Sequence, residues 1–219
     1  MSYLGEYVKN SSYYEEPRQE MLSFNPHNAT LILDIGCSTG LFGKCLKDRF
    51  KATVHGIEIN EELKEVAAKN IDQIFIGDVF DGIKNFSKNK YDSIFFNDVL
   101  EHFISPDRVL EEIKPILSEK GVVIASIPNI RYFRTLKSLL VEKDFKYEES
   151  GILDSTHLRF FTKKSMVRLF ESCGYEIVSI TGINKTKSFK PYLYNLLTAG
   201  IFGLDTAYLQ FAIVAKVKR

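Results

Sequence analysis

The chain has 219 residues, 45% of them hydrophobic, enough for the core of one domain. Its net charge of +1 offers no electrostatic footprint for nucleic acid, so no nucleic-acid partner is expected. Cys37, Cys45 and Cys173 make neither a disulfide framework nor a zinc pattern, which points to reduced thiols, a cytoplasmic setting and no metal site.

Tyr3, Tyr7, Tyr13 and Tyr14 make the N-terminal stretch polar and aromatic, without the apolar run of a secretion signal. Pro17 is expected to open a helix through Phe24, with Met21 and Leu22 on its buried side. Leu31 to Ile35 is a short apolar run with β-branched residues and reads as a buried strand. Gly36 to Gly40 then turns sharply into a helix with Leu41, Phe42 and Leu46 on one face. Such a strand, glycine turn and helix form a nucleotide cradle. Glycine lets the backbone approach a ligand, and the first helical N–H groups are left to meet its polar atoms.

The spacing excludes two common cradles. There is no Gly-Lys-Ser/Thr ending, as a P-loop requires, and Ser38 stands where a dinucleotide fingerprint needs its second glycine. Asp34 just before Gly36 suits a ligand with a cationic amino group better than a pyrophosphate. Cys37 reads as a small residue filling the turn.

Thr53 to Ile59 is the second expected strand, ending near the acid Glu58. Asn60 caps the next helix, with Glu61 and Glu62 in its first turn. Gln73 to Ile76 is a third strand, running into Gly77 and Asp78. Tyr91 to Asn97 is a fourth, leading into Asp98-Val99-Leu100-Glu101-His102. Ser105 is expected to cap a helix that has Pro106 at its first position and is shortened by Pro115. Gly121 to Ile127 is a fifth strand. From Asn129 to Phe161 the alternation breaks. Thr162 then caps a helix that Gly174 ends. Tyr175 to Ile180 and Leu209 to Val217 are the last strands. They are joined by a long connection carrying Tyr192, Tyr194, Leu196, Leu197, Ile201 and Phe202. Its apolar part, Leu193 to Leu204, is too short for a membrane span of ~20 residues.

Alternating apolar strands and helices predict an α/β fold with a mostly parallel sheet covered on both faces. In such sheets ligands bind beyond the carboxyl ends of the strands. Asp34, Gly36, Glu58, Asp78 and Asn97 all fall there.

The loop Asp34-x-Gly36-x-x-x-Gly40 resembles the first loop of class I S-adenosylmethionine-dependent methyltransferases. That resemblance implies a Rossmann-like seven-stranded, mostly parallel sheet with helices on both faces and a C-terminal antiparallel hairpin. It implies one methyltransferase domain over 1–219, with an N-terminal helical segment at about 1–28 and lid or acceptor insertions at about 129–161 and 183–208. It also implies S-adenosylmethionine as cofactor. Glu58 would accept from the ribose hydroxyls and Asp78 from the adenine amine, with Ile59 and Val79 alongside. Asn97 would face the methionine part, and Arg18 would pair with its carboxylate. Asp34, Gly36 and Gly40 complete this set.

The stretch Asp154-Ser155-Thr156-His157-Leu158-Arg159-Phe160-Phe161-Thr162 is similar to one in methyltransferases associated with bacterial cell-surface polysaccharide synthesis. Ser118-Glu119-Lys120-Gly121 departs from the Pro-Gly-Gly often found before the fifth strand. The resemblance implies a small-molecule or glycan acceptor, favouring a sugar hydroxyl in a glycan or nucleotide-linked glycan, with a quinone or small acid as the alternative. His157, with Asp154 three residues away, is the expected general base. Arg159 would hold an anionic acceptor or pair with Asp154. His102 would shape the acceptor pocket, cap the next helix or act as the base itself. A non-catalytic S-adenosylmethionine-binding module and an NAD-dependent dehydrogenase use similar strand-end residues. The oligomeric state stays open, with a homodimer as one option.

Overall fold

The computed structural model describes residues 17–201 and 203–218. The N-terminal tyrosines and Phe202 lie outside the described residues, as does most of the expected N-terminal helical segment.

Seven strands form one sheet: β1 (Leu31–Ile35), β2 (Thr53–Glu58), β3 (Gln73–Ile76), β4 (Tyr91–Asn97), β5 (Leu117–Pro128), β6 (Tyr175–Lys185) and β7 (Tyr208–Val217). Their order is β3-β2-β1-β4-β5-β7-β6. The first five pair in parallel, and β7 lies antiparallel between β5 and β6. The strand order reverses between β1 and β4, so their carboxyl ends open the crevice where such sheets take ligands.

Alternation along the strands sends side chains to two apolar layers. Ile94 and Phe96 join one layer, and Phe95 between them joins the other. The first layer is covered by α3 (Val79–Asn85), α4 (Pro106–Glu112) and α6 (Lys163–Ser172), through Ile83, Leu110 and Phe170. The second is covered by α1 (Leu41–Phe50), through Phe42 and Leu46, together with Met21 and Leu22. The ring of Phe42 stands edge-on to Phe95 at 5.0 Å. A further helix, α2 (Lys64–Asn70), connects β2 to β3.

Several local expectations shift. The segment after Pro17 is a 3-10 turn, Gln19–Phe24, rather than an α-helix. Strand β5 starts at Leu117, four residues before Gly121. Ser118 is held there by the Asp92 carboxylate, which also accepts from Thr30. Ser105 precedes α4 without making a side-chain cap bond. Thr162 does cap α6, in a reciprocal box with Ser165. After α4, Pro115 lies in a separate 3-10 turn, Lys114–Ile116, as its missing N–H demands.

Two connections carry structure of their own. The first has α5 (Phe133–Lys137), continued by a π-helical turn at Ser138–Glu142. The second has α7 (Lys190–Leu197). They meet near Asp205, whose carboxylate accepts from Arg131 at 2.7 Å and whose carbonyl accepts from the Asn129 amide.

The loop after β1 depends on Gly56 in β2. A Cβ at Gly56 would lie 2.5 Å from Cys37 Sγ and 2.6 Å from Ile71 Cδ1. Cys37 is therefore a buried packing residue, as expected of a small side chain in the turn. Gly56→Ala should destabilise the protein by about 1–3 kcal/mol, the usual cost of overpacking. Urea denaturation would measure it. Adding Cys37→Ala to that variant should recover part of the loss, because the closest clash is removed.

Candidate active site

Asp34 and Glu58 end up side by side because β1 and β2 run parallel in register, with Asp34 opposite Gly56. Asp34 is 2% exposed. Burial, and then the nearby Glu58 charge, push its carboxyl up to about 8, while Arg18 opposes the shift. Glu58 is also buried but well supplied with donors. Its Oε2 accepts from Ser38 N at 2.8 Å, and its Oε1 accepts from Ile59 N and Asn60 N at 2.9 Å each. A carboxylate offers about four lone-pair sites, so one on Oε2 remains beyond these three bonds. The sequence assigned Glu58 to ribose alone; the structure adds that it ties the loop to the end of β2.

Gly36 has φ +72°, and a Cβ there would meet Val99 Cγ2 at 2.5 Å. Gly40 has φ +73°, and a Cβ there would lie 3.2 Å from Ala67 O in the α2 backbone. Only glycine meets both demands without strain. Both therefore hold the loop between β1 and α1 close to its neighbours.

Asn97 ends β4. Both of its side-chain amide atoms are buried without a hydrogen-bond partner, as are Asp34 Oδ1 and Ser38 Oγ. Buried polar groups are nearly always paired, so such a cluster at one sheet edge needs a reason. These atoms are acceptors, a donor and a hydroxyl, a mixture suited to an amino acid-like moiety bearing both an ammonium and a carboxylate. Asp78 is exposed and caps α3 through Phe80 N, which engages Oδ1 at 2.8 Å. Ile59 stands 54% exposed beside Glu58, whereas Val79 is buried in the core at the start of α3. The residues present fit an adenosyl amino acid: Asp34, Ser38 and Asn97 for its amino-acid end, Glu58, Ile59 and Asp78 for its nucleoside.

Arg18 has a different setting from the one expected. Its guanidinium pairs with Asp98 and with Glu20, and donates to Ser126 Oγ at 3.1 Å and Gln210 Oε1 at 3.3 Å. Gln210 in turn donates to Asp98 Oδ2 at 2.7 Å. This network pins the N-terminal segment over the ends of β4, β5 and β7. Nothing local in the sequence marks it, because Asp98 and Gln210 are remote from Arg18 along the chain. Arg18, Ser38 and Asp98 all have positive φ, at 43°, 50° and 55°. Left-handed backbone at non-glycine residues is costly and clusters at functional sites.

A second group lies beyond β4 and β5. A pocket is lined by Asp98, Glu101, Asp154, His157 and Gln210, with Pro128 and Leu209. His157 is buried, and its Nδ1 lies 3.0 Å from the Ile152 carbonyl. A carbonyl only accepts, so Nδ1 carries a proton and in the neutral ring Nε2 is the basic nitrogen. Nε2 lies 3.9 Å from Glu101 Oε1. Glu101, 1% exposed, is thus the carboxylate facing His157. Asp154 accepts from Thr156 N and Oγ1, at 2.8 and 2.7 Å, and lines the same pocket as His157. His102 lies edge-on to His157 at 4.7 Å, with Nδ1 3.2 Å from the Thr156 carbonyl. Arg159 neither pairs with Asp154 nor lines the pocket: it is exposed and donates to the Ile104 carbonyl. The backbone N–H groups of Leu158 and Arg159 both donate to the Glu101 carbonyl, fastening this loop to the end of β4.

One ligand atom each from Glu101, His102 and His157 lies within 4.8 Å of the others. That grouping could hold a divalent cation, a possibility that the cysteine-based reading of the sequence did not raise.

A family model described as "Methyltransferase domain" matches residues 8–180. The ubiquinone biosynthesis O-methyltransferase of Actinobacillus pleuropneumoniae serotype 5b is 31% identical over 119 residues, which are 50% of this chain and 49% of that protein. The chain spans less than half the length of that relative and of a second curated O-methyltransferase. Among solved structures, the plantazolicin methyltransferase BpumL in complex with SAH superposes with a TM-score of 0.64 at 25% identity, over 95% of this chain and 89% of that one. A SAM-dependent methyltransferase from Archaeoglobus fulgidus shares the fold, with a TM-score of 0.69 at 16% identity over 90% and 91% of the two chains. The fold agrees with these likenesses, and the cofactor is S-adenosylmethionine. The chain belongs to the methyltransferase-domain family.

Proposed function

We propose that this chain transfers the methyl group of S-adenosylmethionine to a sugar hydroxyl of a glycan or nucleotide-linked glycan. The observation that carries the reading is the pocket beyond β4 and β5, with three carboxylates, an imidazole and a glutamine on its walls. Carboxylates and amides pair with the many hydroxyls of a sugar, whereas they repel an anionic acid and suit a quinone ring poorly. Both curated relatives at 31% identity are named as O-methyltransferases, which supports transfer to oxygen.

When bound, S-adenosylmethionine supplies an activated methyl group on a sulfonium. The chain's residues then have two tasks. Asp34, Glu58 and Asn97 would hold the cofactor, and the second pocket would hold the acceptor hydroxyl. Positioning supplies most of the acceleration. His157 Nε2 takes the hydroxyl proton as the oxygen–carbon bond forms. The imidazolium is stabilised by the buried Glu101 carboxylate 3.9 Å away. Its Nδ1–H donates to Ile152 throughout, so the ring keeps its orientation.

With sugar nucleotides as acceptors, His157→Ala should lower the rate of S-adenosylhomocysteine formation by roughly 10²–10⁴, the range for a lost general base. Its affinity for S-adenosylhomocysteine should stay near wild type. Treatment with EDTA should leave turnover unchanged. Loss of turnover that a divalent cation restores would instead make Glu101, His102 and His157 a metal centre. A wild-type chain that binds cofactor but methylates no sugar would move the acceptor to another class.

Asp34 gives a prediction with opposite signs for stability and binding. Between its ordinary value of 3.8 and about 8, the native state holds a proton that the unfolded chain has released. Stability contributed by this group therefore falls as pH rises through that window. Asp34→Asn should raise the melting temperature of the ligand-free protein at pH near 8. It should weaken S-adenosylhomocysteine binding by roughly 10–100-fold, since hydrogen bonds to charged groups are worth ~1.5–3 kcal/mol. Thermal scans and calorimetry on the one variant measure both.

A further inference from the structure

The two connections that carry α5 and α7 build an apolar face that the methyl-transfer site does not use. Phe133, Leu136 and Leu140 from the first line one hollow together with Tyr194 from the second. Around it, side chains project into solvent: Val141 is 68% exposed, Leu196 77%, Leu197 71% and Ile201 83%. Scattered exposed leucines are ordinary, but contiguous apolar side chains on two adjoining segments mark a contact surface.

The charges around this face are basic on its second segment. Residues 131–149 and 184–205 together contain eight Lys or Arg against five acids, with Arg131 paired to Asp205 and Lys137 to Glu142, so the unpaired excess sits mainly on the second segment. The second segment carries Lys185, Lys187 and Lys190 against the single acid Asp205, which Arg131 engages. Lys185 lies over the Tyr192 ring, 5.4 Å from its centroid, an apolar stem and ring with the charge at the edge. Among the described residues no helix is long and apolar enough to cross a membrane.

We propose that this face docks on the surface of a lipid bilayer rich in anionic headgroups. Leucine, valine and isoleucine tips would enter the acyl boundary, lysines would meet the headgroups, and Tyr192 and Tyr194 would lie at the interface. The composition favours lipid over protein. Protein interfaces are depleted in Lys and centre on aromatic and Arg anchors, whereas the most exposed tips here are aliphatic and ringed by Lys. The electrostatic excess is local, so the attraction does not require a basic protein as a whole. Asn129 and Tyr208, joined by a 3.0 Å hydrogen bond, link this region to Pro128 and Leu209 in the pocket wall. The inference does not depend on which acceptor the pocket takes.

Co-sedimentation of the whole 219-residue chain with vesicles tests it. Vesicles of phosphatidylcholine with phosphatidylserine should carry the protein down, and phosphatidylcholine alone should not. Raising the salt should weaken binding. Lys187→Glu and Lys190→Glu should each cost at least about fivefold, the effect of losing one basic residue near an anionic surface. Leu196→Asp with Leu197→Asp, both at exposed positions, should abolish sedimentation while leaving S-adenosylhomocysteine binding intact, which also certifies the fold. Failure of the wild type to sediment with anionic vesicles, or undiminished binding by the double aspartate variant, overturns the proposal. So does a wild-type dimer, seen by light scattering, that the double aspartate variant loses; that would assign the face to a second copy.

Discussion

Two carboxylates are forced together at the carboxyl edge of the sheet, and the site is built on how differently they are satisfied. The parallel register of β1 and β2 puts Asp34 opposite Gly56, two residues before Glu58. Glu58 receives three backbone N–H groups and has become part of the scaffold. Asp34 receives no hydrogen bond at Oδ1 and is kept largely protonated near neutral pH by burial and by its neighbour. A cationic ligand beside Asp34 would remove both penalties at once. On the proposed reading, the sheet edge would exchange stability for affinity toward a bound ammonium.

The surrounding structure holds this edge open for use. Gly36 bends the loop where Val99 leaves no room for a Cβ, and Gly56 leaves room for Cys37. Arg18, Asp98, Ser126 and Gln210 close the far side with a polar network that joins the N-terminal segment to three strands. The left-handed conformations of Arg18, Ser38 and Asp98 are local costs that this network and the Glu58 bonds offset. Beyond it, the same turn after β4 supplies Asp98 and Glu101 to the second pocket. One strand end therefore serves the proposed cofactor and acceptor sites together.

Much of this was legible in the sequence because it is local. An apolar run, an acid and spaced glycines within ten residues announce β1, its loop and α1. The seven-stranded, mostly parallel sheet and the hairpin of β6 and β7 follow from the resemblance that this loop carries. What was not legible is what folding brings together from afar. Asp154 is near His157 in sequence, but Glu101, which also faces the imidazole, comes from another strand end. Arg18 was read as a partner of the cofactor carboxylate, but Asp98 engages it from 80 residues away. The length of the last connection pointed to a function or a helix of its own, and α7 is that helix, with Pro191 in its first turn, where no N–H is needed. The early start of β5 was hidden by Glu119 and Lys120, both exposed there.

The central claim is that Asp34 is a buried carboxyl whose charge is called up by the cofactor. Carbon-13 NMR of the labelled Asp34 carboxyl, followed through pH with and without S-adenosylhomocysteine, tests it directly. In the free protein the group should titrate at about 8, and saturating ligand should move the transition well below neutrality. A carboxyl already ionised in the free protein at acidic pH, or one whose titration the ligand leaves in place, would contradict the account.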